Sequence, residues 1–309
     1  MKISIITPHY NDIEGIKQTY ECLKKQTSEQ WEWIIVDDCS TQEVKNLVQD
    51  FIYQTDNASI KLFFNQEKTN ASICRNLGID YASHSTLVFL DSDDIISEDF
   101  VTNRLIKVEE FIVFRNFNIL NEKGENIASS KITTNFLDHF LRAEFAWQTT
   151  GILWNKSFLV NIGKFNSDLQ RLQDVELSIR ALFLGKKYRI IDNKVAFFYN
   201  VSPIRNRKNF VKKVSVSVNY LITKIHADYK LNAQQQQLIK GYYYLCVKYL
   251  HRSKSRKDVK YVRENLNLFY SKKYVKLNGY LFGLLFLNLY KFRLISDDFF
   301  LKLNRYFYK

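Results

Sequence analysis

The sequence predicts an open α/β sheet, mostly parallel, with helices on both faces, joined to a helical, basic C-terminal region. Two observations predict the sheet. Four short apolar runs lie in the first hundred residues with segments of helical spacing between them, and three of the four runs end in polar residues rich in aspartate. A change of charge near residue 200 predicts the second region.

The first run is Lys2-Ile3-Ser4-Ile5-Ile6, followed at helical spacing by Ile13, Ile16, Tyr20 and Leu23. Trp33-Ile34-Ile35-Val36 is the second, followed by Val44, Leu47, Val48 and Phe51. Lys61-Leu62-Phe63-Phe64 is the third, followed by Ala71, Cys74, Leu77, Gly78 and Tyr81, and Leu87-Val88-Phe89-Leu90 is the fourth. Unbroken apolar runs joined by helices read as parallel strands buried on both faces, linked by right-handed crossovers. Further on, Phe111–Phe114 and Tyr188–Ile191 read as strands and Asp174–Leu184 as a helix. After residue 209 the spacing is helical, with one face through Phe210, Val214, Val218, Leu221, Ile222 and Ile225 and another through Leu238, Ile239, Tyr242, Leu245, Cys246 and Tyr249.

The chain has 309 residues, which suits about two domains. Its 46% hydrophobic and 25% charged residues are ordinary globular values and exclude a fibrous or disordered chain. Four cysteines without a CxxC pair exclude a zinc ribbon and read as reduced thiols. The apolar stretch at the N-terminus is too short for a secretory leader. The longest uncharged apolar stretch, Leu277–Tyr290, has 14 residues and is too short to span a bilayer. Residues 1–200 hold 22 Lys and Arg against 27 Asp and Glu, while residues 201–309 hold 23 against 5 and 13 of the 19 Tyr. That shift, beside Pro203, sets the expected boundary: one domain over 1–205 and a basic, Tyr-rich helical region over 206–309.

In an open α/β sheet, ligands bind beyond the carboxyl ends of the strands, where strand order reverses. Here the first run ends in Thr7-Pro8-His9-Tyr10-Asn11-Asp12, the second in Asp37-Asp38-Cys39-Ser40 and the fourth in Asp91-Ser92-Asp93-Asp94. Acids gathered on one rim repel each other unless a cation or hydrogen-bond donors compensate. Mg²⁺ or Mn²⁺ is the economical solution, because such an ion takes one or two carboxylates and fills its shell with phosphate oxygens and water. Asp91 and Asp93, two residues apart, suit it. The plain alternative is that strand-end aspartates only cap the helices that follow. His9 belongs to no ligand cluster, and Cys39 and Cys74 read as small packed side chains.

Four segments, Ser4–Asn11, Val36–Ser40, Ala71–Gly78 and Phe89–Asp94, resemble in order and spacing the signature of family 2 glycosyltransferases. The resemblance covers roughly residues 1–200. It implies the GT-A fold, that of nucleotide-diphospho-sugar transferases, and an inverting reaction. It also implies that Pro8 and Tyr10 pack on the nucleotide base, that Asp38, beside Asp37, bonds a uracil, and that Arg75 and Asn76 form the arginine–asparagine pair of the donor site. Asp91 then lies near ribose and metal, Asp93 holds the metal that bridges the diphosphate, and Asp94 adds a contact.

Inversion by single displacement needs a base for the acceptor hydroxyl. The family places an acidic pair at a helix start after a Gly-Phe segment. Here Gly163-Lys164-Phe165-Asn166 precedes Leu172-Gln173-Asp174-Val175-Glu176, so Asp174 matches the base, Gln173 departs from the pattern, and Glu176 is second choice. As a bland alternative, Asp174 is a helix N-terminal acid favoured by the dipole. Trp147–Gly151 borders the acceptor or belongs to the core. Arg205 and Arg207 close over the diphosphate or merely begin the basic region.

The C-terminal region has three readings: a peripheral surface for anionic membrane, a solvated face on a packed helical subdomain, and a nucleic-acid surface, which no accompanying motif supports. The sequence thus predicts a cytoplasmic glycosyltransferase, peripheral on the inner face of the membrane in the first reading. It would use a UDP-linked nucleotide-sugar donor, Mg or Mn, and a glycan or lipid-linked acceptor in polysaccharide, lipopolysaccharide or capsule assembly. The alternatives are a nucleotidyltransferase acting on sugar phosphates, against which the lack of Gly and Lys in Thr7–Asp12 counts, and a non-catalytic nucleic-acid-binding protein.

Overall fold

The computed structural model describes residues 1–121, 125–129, 135–192, 194–200 and 209–309. Arg205, Arg207 and the boundary expected at 205 lie outside the described residues. The elements run β1 (Ile3–His9), α1 (Ile13–Lys24), β2 (Trp31–Asp37), α2 (Gln42–Thr55), β3 (Ile60–Phe64), α3 (Ala71–Tyr81), β4 (Thr86–Phe89), β5 (Ile95–Ile96) and β6 (Phe111–Phe114). There follow β7 (Asn118–Leu120), β8 (Asn126–Ser129), α4 (Phe136–Leu141), β9 (Ile152–Asn155), α5 (Lys156–Asn161), α6 (Gln173–Leu184), β10 (Arg189–Ile191) and β11 (Phe197–Asn200). The last elements are α7 (Phe210–Asp228), α8 (Ala233–Leu238), α9 (Lys240–Ser253), α10 (Val259–Ser271), α11 (Leu277–Lys291) and α12 (Asp297–Tyr308).

The chain divides into two compact units: Met1–Thr133 with Ala146–Ser167 and Arg180–Arg205, and Thr134–Phe145 with Asp168–Ile179 and Asn206–Lys309. In the first, a seven-stranded sheet has the order β10-β6-β9-β4-β1-β2-β3. β1 runs parallel to β2 and to β4, and β2 parallel to β3. The chain therefore moves outward from β1 to β3 and returns to the other side of β1 as β4. That reversal puts a crevice at the carboxyl ends of β1 and β4, where polar loops collect.

Both sheet faces are buried, as unbroken apolar runs require. Ile3, Ile5, Trp33, Ile35 and Val88 share one core with Ile16 and Leu23 of α1. On α3, a Cβ at Gly78 would run into the side chain of Ile6, so the glycine sets how closely this helix lies on β1. Two features differ from the expected parallel pattern. β9 pairs antiparallel with both β4 and β6, and a second, four-stranded sheet has the order β5-β11-β7-β8. Its strands have two to four residues, too few for a periodic signal.

The second unit is helical. α10 packs on α7, α9 and α11, and α12 packs along α9. The buried Asn265 of α10 donates to the Ser215 carbonyl at 2.8 Å and to Asn219 Oδ1 at 2.7 Å, pinning α10 to α7. The single face expected over Leu238–Tyr249 is split between α8 and α9, and Asn232 closes a capping box at the start of α8. No helix among the described residues is long and apolar enough to cross a membrane.

Candidate functional site

The loops after β1, β2 and β4, with the start of α3, enclose a cavity of about 330 Å³. Pro8, Tyr10, Asp38, Arg75, Asp91 and Asp93, predicted from four separate segments, all line it. Asp37, Asn76 and Asp174 are not among its lining residues.

The rim is built on a register. His9 and Asp37 are cross-strand partners at the ends of β1 and β2. His9 Nδ1 lies 2.7 Å from Asp37 Oδ2, and its Nε2 accepts the Asp12 backbone N–H at 3.1 Å. Both ring nitrogens are thus used, with the proton on Nδ1, so His9 braces the loop and is no metal ligand. Asp37 also accepts from the Ser40 backbone N–H at 2.9 Å and from its hydroxyl. Burial alone would raise the Asp37 pKa, but the bonds from His9 and Ser40 outweigh it and hold the carboxyl below its ordinary range. Two residues after His9 and Asp37 respectively, Asn11 and Cys39 take left-handed backbone (φ 50 and 61°). Asn11 then ties the loops together, its N–H donating to Ser40 Oγ at 2.8 Å and its Oδ1 accepting from Thr41 N at 2.9 Å.

Asp38 is 3% exposed. Its Oδ1 accepts from the Thr69 backbone N–H at 2.8 Å, the Thr69 hydroxyl at 2.5 Å and Asn65 Nδ2 at 3.1 Å, and its Oδ2 pairs with Lys68. Burial again opposes ionisation, and the Lys68, Thr69 and Asn65 bonds overcome it, so the carboxyl stays below its usual range. Behind it, burial and the Asp38 charge push the Cys74 thiol up to about 12, which leaves Cys74 protonated and unreactive. Lys68 is the residue that the sequence reading missed. Its ammonium also sits 3.7 Å from the centroid of the half-exposed Tyr10 ring.

Across the cavity, Arg75 is 7% exposed and donates from Nη2 to Asp91 Oδ1 at 2.6 Å. Asp91 to Asp94 form a turn, closed by Asp94 N–H on the Asp91 carbonyl at 3.1 Å, and Asp93 is exposed. Asp94 is buried and accepts from Thr150 Oγ1 at 3.3 Å, away from the lining residues. Asp12 caps α1, accepting from Gly15 N–H at 3.2 Å, and accepts from Ser92 Oγ at 3.3 Å, which links the first loop to this turn. Asn76 exchanges two hydrogen bonds with the backbone of Phe165, at 2.8 and 2.9 Å, and so anchors α3.

Among the described residues no group of three or more His, Cys, Asp or Glu side chains forms a metal cage. Asp91 and Asp93 nevertheless suit Mg²⁺ or Mn²⁺, which needs only one or two carboxylates where phosphate oxygens complete the shell. Asp174 belongs to the second unit and lies half-buried in the first turn of α6. Leu172 enters that turn with left-handed backbone (φ 63°). Glu176 is 3% exposed and faces Lys224 at 3.9 Å. Trp147 is 2% exposed, which makes it core and removes it as a platform for a sugar.

The family described as "Glycosyl transferase family 2" matches residues 4–165. The amylovoran biosynthesis glycosyltransferase AmsB of Erwinia amylovora is 29% identical over 218 residues, 65% of this chain and 71% of that one. The UDP-Glc:alpha-D-GlcNAc-diphosphoundecaprenol beta-1,3-glucosyltransferase WfgD of Escherichia coli is 32% identical over 145 residues, 44% of this chain and 54% of that one. The chain thus spans about half the length of WfgD. Among solved structures, S. aureus TarS 1-349 in complex with UDP-GlcNAc superimposes with a TM-score of 0.61 at 15% identity, covering 87% of this chain and 81% of that one. The mannosyltransferase PcManGT from Pyrobaculum calidifontis, in complex with GDP-Man and Mn²⁺, gives 0.57 at 14% identity, covering 99% and 84%. At such identities these neighbours share the GT-A fold.

Proposed function

Because the chain belongs to glycosyl transferase family 2, we propose that it moves a sugar from a UDP-linked nucleotide-sugar to a hydroxyl of a glycan or lipid-linked acceptor, with inversion. One observation carries this reading: Asp38, Arg75, Asp91 and Asp93 face one cavity at the strand-order reversal, beside Pro8 and Tyr10. Asp38 is fixed in its ionised form and suits the N–H of a uracil, with Pro8 and Tyr10 against the base and Asp37 stiffening the strand end. Asp91 and Asp93 would hold Mg²⁺ or Mn²⁺, which neutralises charge on the leaving diphosphate. Arg75 adds a fixed cation on the same side, while Asn76 keeps α3 seated. Asp174 takes the proton of the attacking hydroxyl. Glu176 is a weaker candidate because it is buried against Lys224.

Family membership displaces the nucleotidyltransferase and nucleic-acid alternatives. The names of AmsB and WfgD favour assembly of a bacterial surface polysaccharide, with a polyprenyl diphosphate-linked glycan as one acceptor class. In this reading residues 1–205 carry the donor-binding and catalytic side chains and 206–309 act as an acceptor-side or membrane-surface element, the latter at the inner face of the cytoplasmic membrane. The test is a panel of nucleotide-sugars incubated with Mn²⁺. Slow hydrolysis of a UDP-sugar supports the reading. Turnover of nucleoside triphosphates with sugar phosphates, and of no nucleotide-sugar, would refute it.

A further inference from the structure

A helix in a soluble unit is normally polar on the side away from its core, and one that is apolar all round meets lipid or another protein. α11 is apolar over most of its circumference, with the exposed Asn278 and the partly buried Asn288 as its two amides. Gly283, Phe286, Leu287 and Tyr290 are buried on one side. Leu277, Leu281, Phe282 and Leu285 lie on the other and are 57, 55, 41 and 49% exposed. At 100° per residue these four span about 140° of the helix surface. The exposed strip continues beyond the helix through Phe292 and Leu294, at 66 and 68%.

Beside it lies a cleft of about 370 Å³, lined by Arg256, Lys257, Lys260, Arg263 and Lys291. Glu264 is the one acid among the described residues that line it. Lys291 is also the last residue of α11, so the cleft and the apolar strip meet at that helix end. Arg256 is held in place, its guanidinium 3.3 Å from the centroid of the Tyr290 ring and paired with Asp297. Its buried Nη1 has no hydrogen-bond partner.

We propose that the cleft between α10 and α11 seats the phosphate of an anionic phospholipid while Leu277, Leu281, Phe282 and Leu285 lie at the boundary of headgroup and acyl chain. Four further cations favour the diester of a headgroup, and the adjoining strip favours a lipid over a free anion. This deepens the reading of 206–309 as a membrane-surface element and is independent of the donor chemistry.

The test is co-sedimentation of the full chain with vesicles of phosphatidylcholine alone or mixed with phosphatidylglycerol. The wild type is expected to bind only the mixed vesicles. K260Q/R263Q weakens that binding about tenfold or more, whereas K24Q/K25Q, which removes the same charge from the exposed end of α1, changes it less than about threefold. L281Q also weakens binding, and circular dichroism checks that each variant is folded. UDP affinity of K260Q/R263Q is unchanged, so failure here is separable from failure of the donor-site reading. Equal loss from both charge pairs overturns a built phosphate site, and equal binding to phosphatidylcholine alone overturns the assignment to an anionic headgroup. Thermal stabilisation by inorganic phosphate without vesicle binding overturns the lipid assignment in favour of a soluble anion. A dimer in solution that L281Q makes monomeric overturns it in favour of a second copy.

Discussion

Lys68 is shared between a ring and a carboxylate: its ammonium lies 3.7 Å from the centroid of Tyr10 while it pairs with Asp38. The lysine side chain is 48% exposed and the Asp38 side chain 4%, so the lysine is the partner able to leave. Under the proposed function, Lys68 thus occupies the Asp38 oxygen and the Tyr10 face assigned to the nucleobase. Asp38→Ala is expected to weaken UDP binding about tenfold to a hundredfold, the loss of a hydrogen bond to a charged group. Lys68→Ala is expected to bind UDP as tightly as wild type or more tightly. Calorimetric titration reads both, and a tenfold loss in Lys68→Ala would make the lysine a nucleotide ligand itself.

Gly15 couples α1 to the turn that carries Asp91 and Asp93. A Cβ there would lie 2.8 Å from the Ser92 carbonyl oxygen and would run into the Asp12 carboxylate. Gly15→Ala should therefore cost about 1–3 kcal/mol by denaturant melting, the usual price of overpacking, and lower donor affinity as the turn shifts. Unchanged stability and affinity would show that the turn is not braced by this helix.

Asp174→Asn removes a proton acceptor and leaves the shape of the side chain. Turnover to an acceptor is expected to fall about 10²–10⁴-fold, while UDP affinity stays at the wild-type value. A small loss would transfer the role to another group, Glu176 first.

Acid should destabilise the fold through buried carboxylates. Burial raises the pKa of Glu32, but bonds from Lys61, Ser4 and the Ser83 backbone bring it down from 4.5 to about 2. The folded value lies below the unfolded one, so this stability is fully present above about pH 4.5 and is lost as pH falls towards 2. Asp37 and Asp38 shift in the same direction. Melting temperature should be flat from pH 7 to about 5 and fall below that. Glu32→Gln should melt lower at pH 7 and show a shallower acid limb.

The sheet and the rim acids were legible because the physics behind them is local. Trp33–Val36 and Leu87–Leu90 are unbroken because both faces of their strands are covered, and acids follow these two runs directly. Lys68 was hidden because its partners Tyr10 and Asp38 meet it only through the fold. The ends of α9, α10 and α11 were hidden for another reason. Lys254, Lys273 and Arg293 take the left-handed conformation (φ 52, 64 and 59°) in the turns that follow them, where glycine would have marked the break. The second sheet and the antiparallel β9 depend on pairing between distant short segments, which no periodicity records.

The most direct measurement is calorimetric titration of UDP into the full chain, with and without Mn²⁺, for wild type and Asp93→Ala. The account predicts that Mn²⁺ tightens UDP binding about tenfold or more in the wild type. It predicts that Asp93→Ala keeps the metal-free affinity and loses the effect of Mn²⁺. An undiminished Mn²⁺ effect in Asp93→Ala would contradict the assignment of the aspartates on this rim to a diphosphate-bound cation.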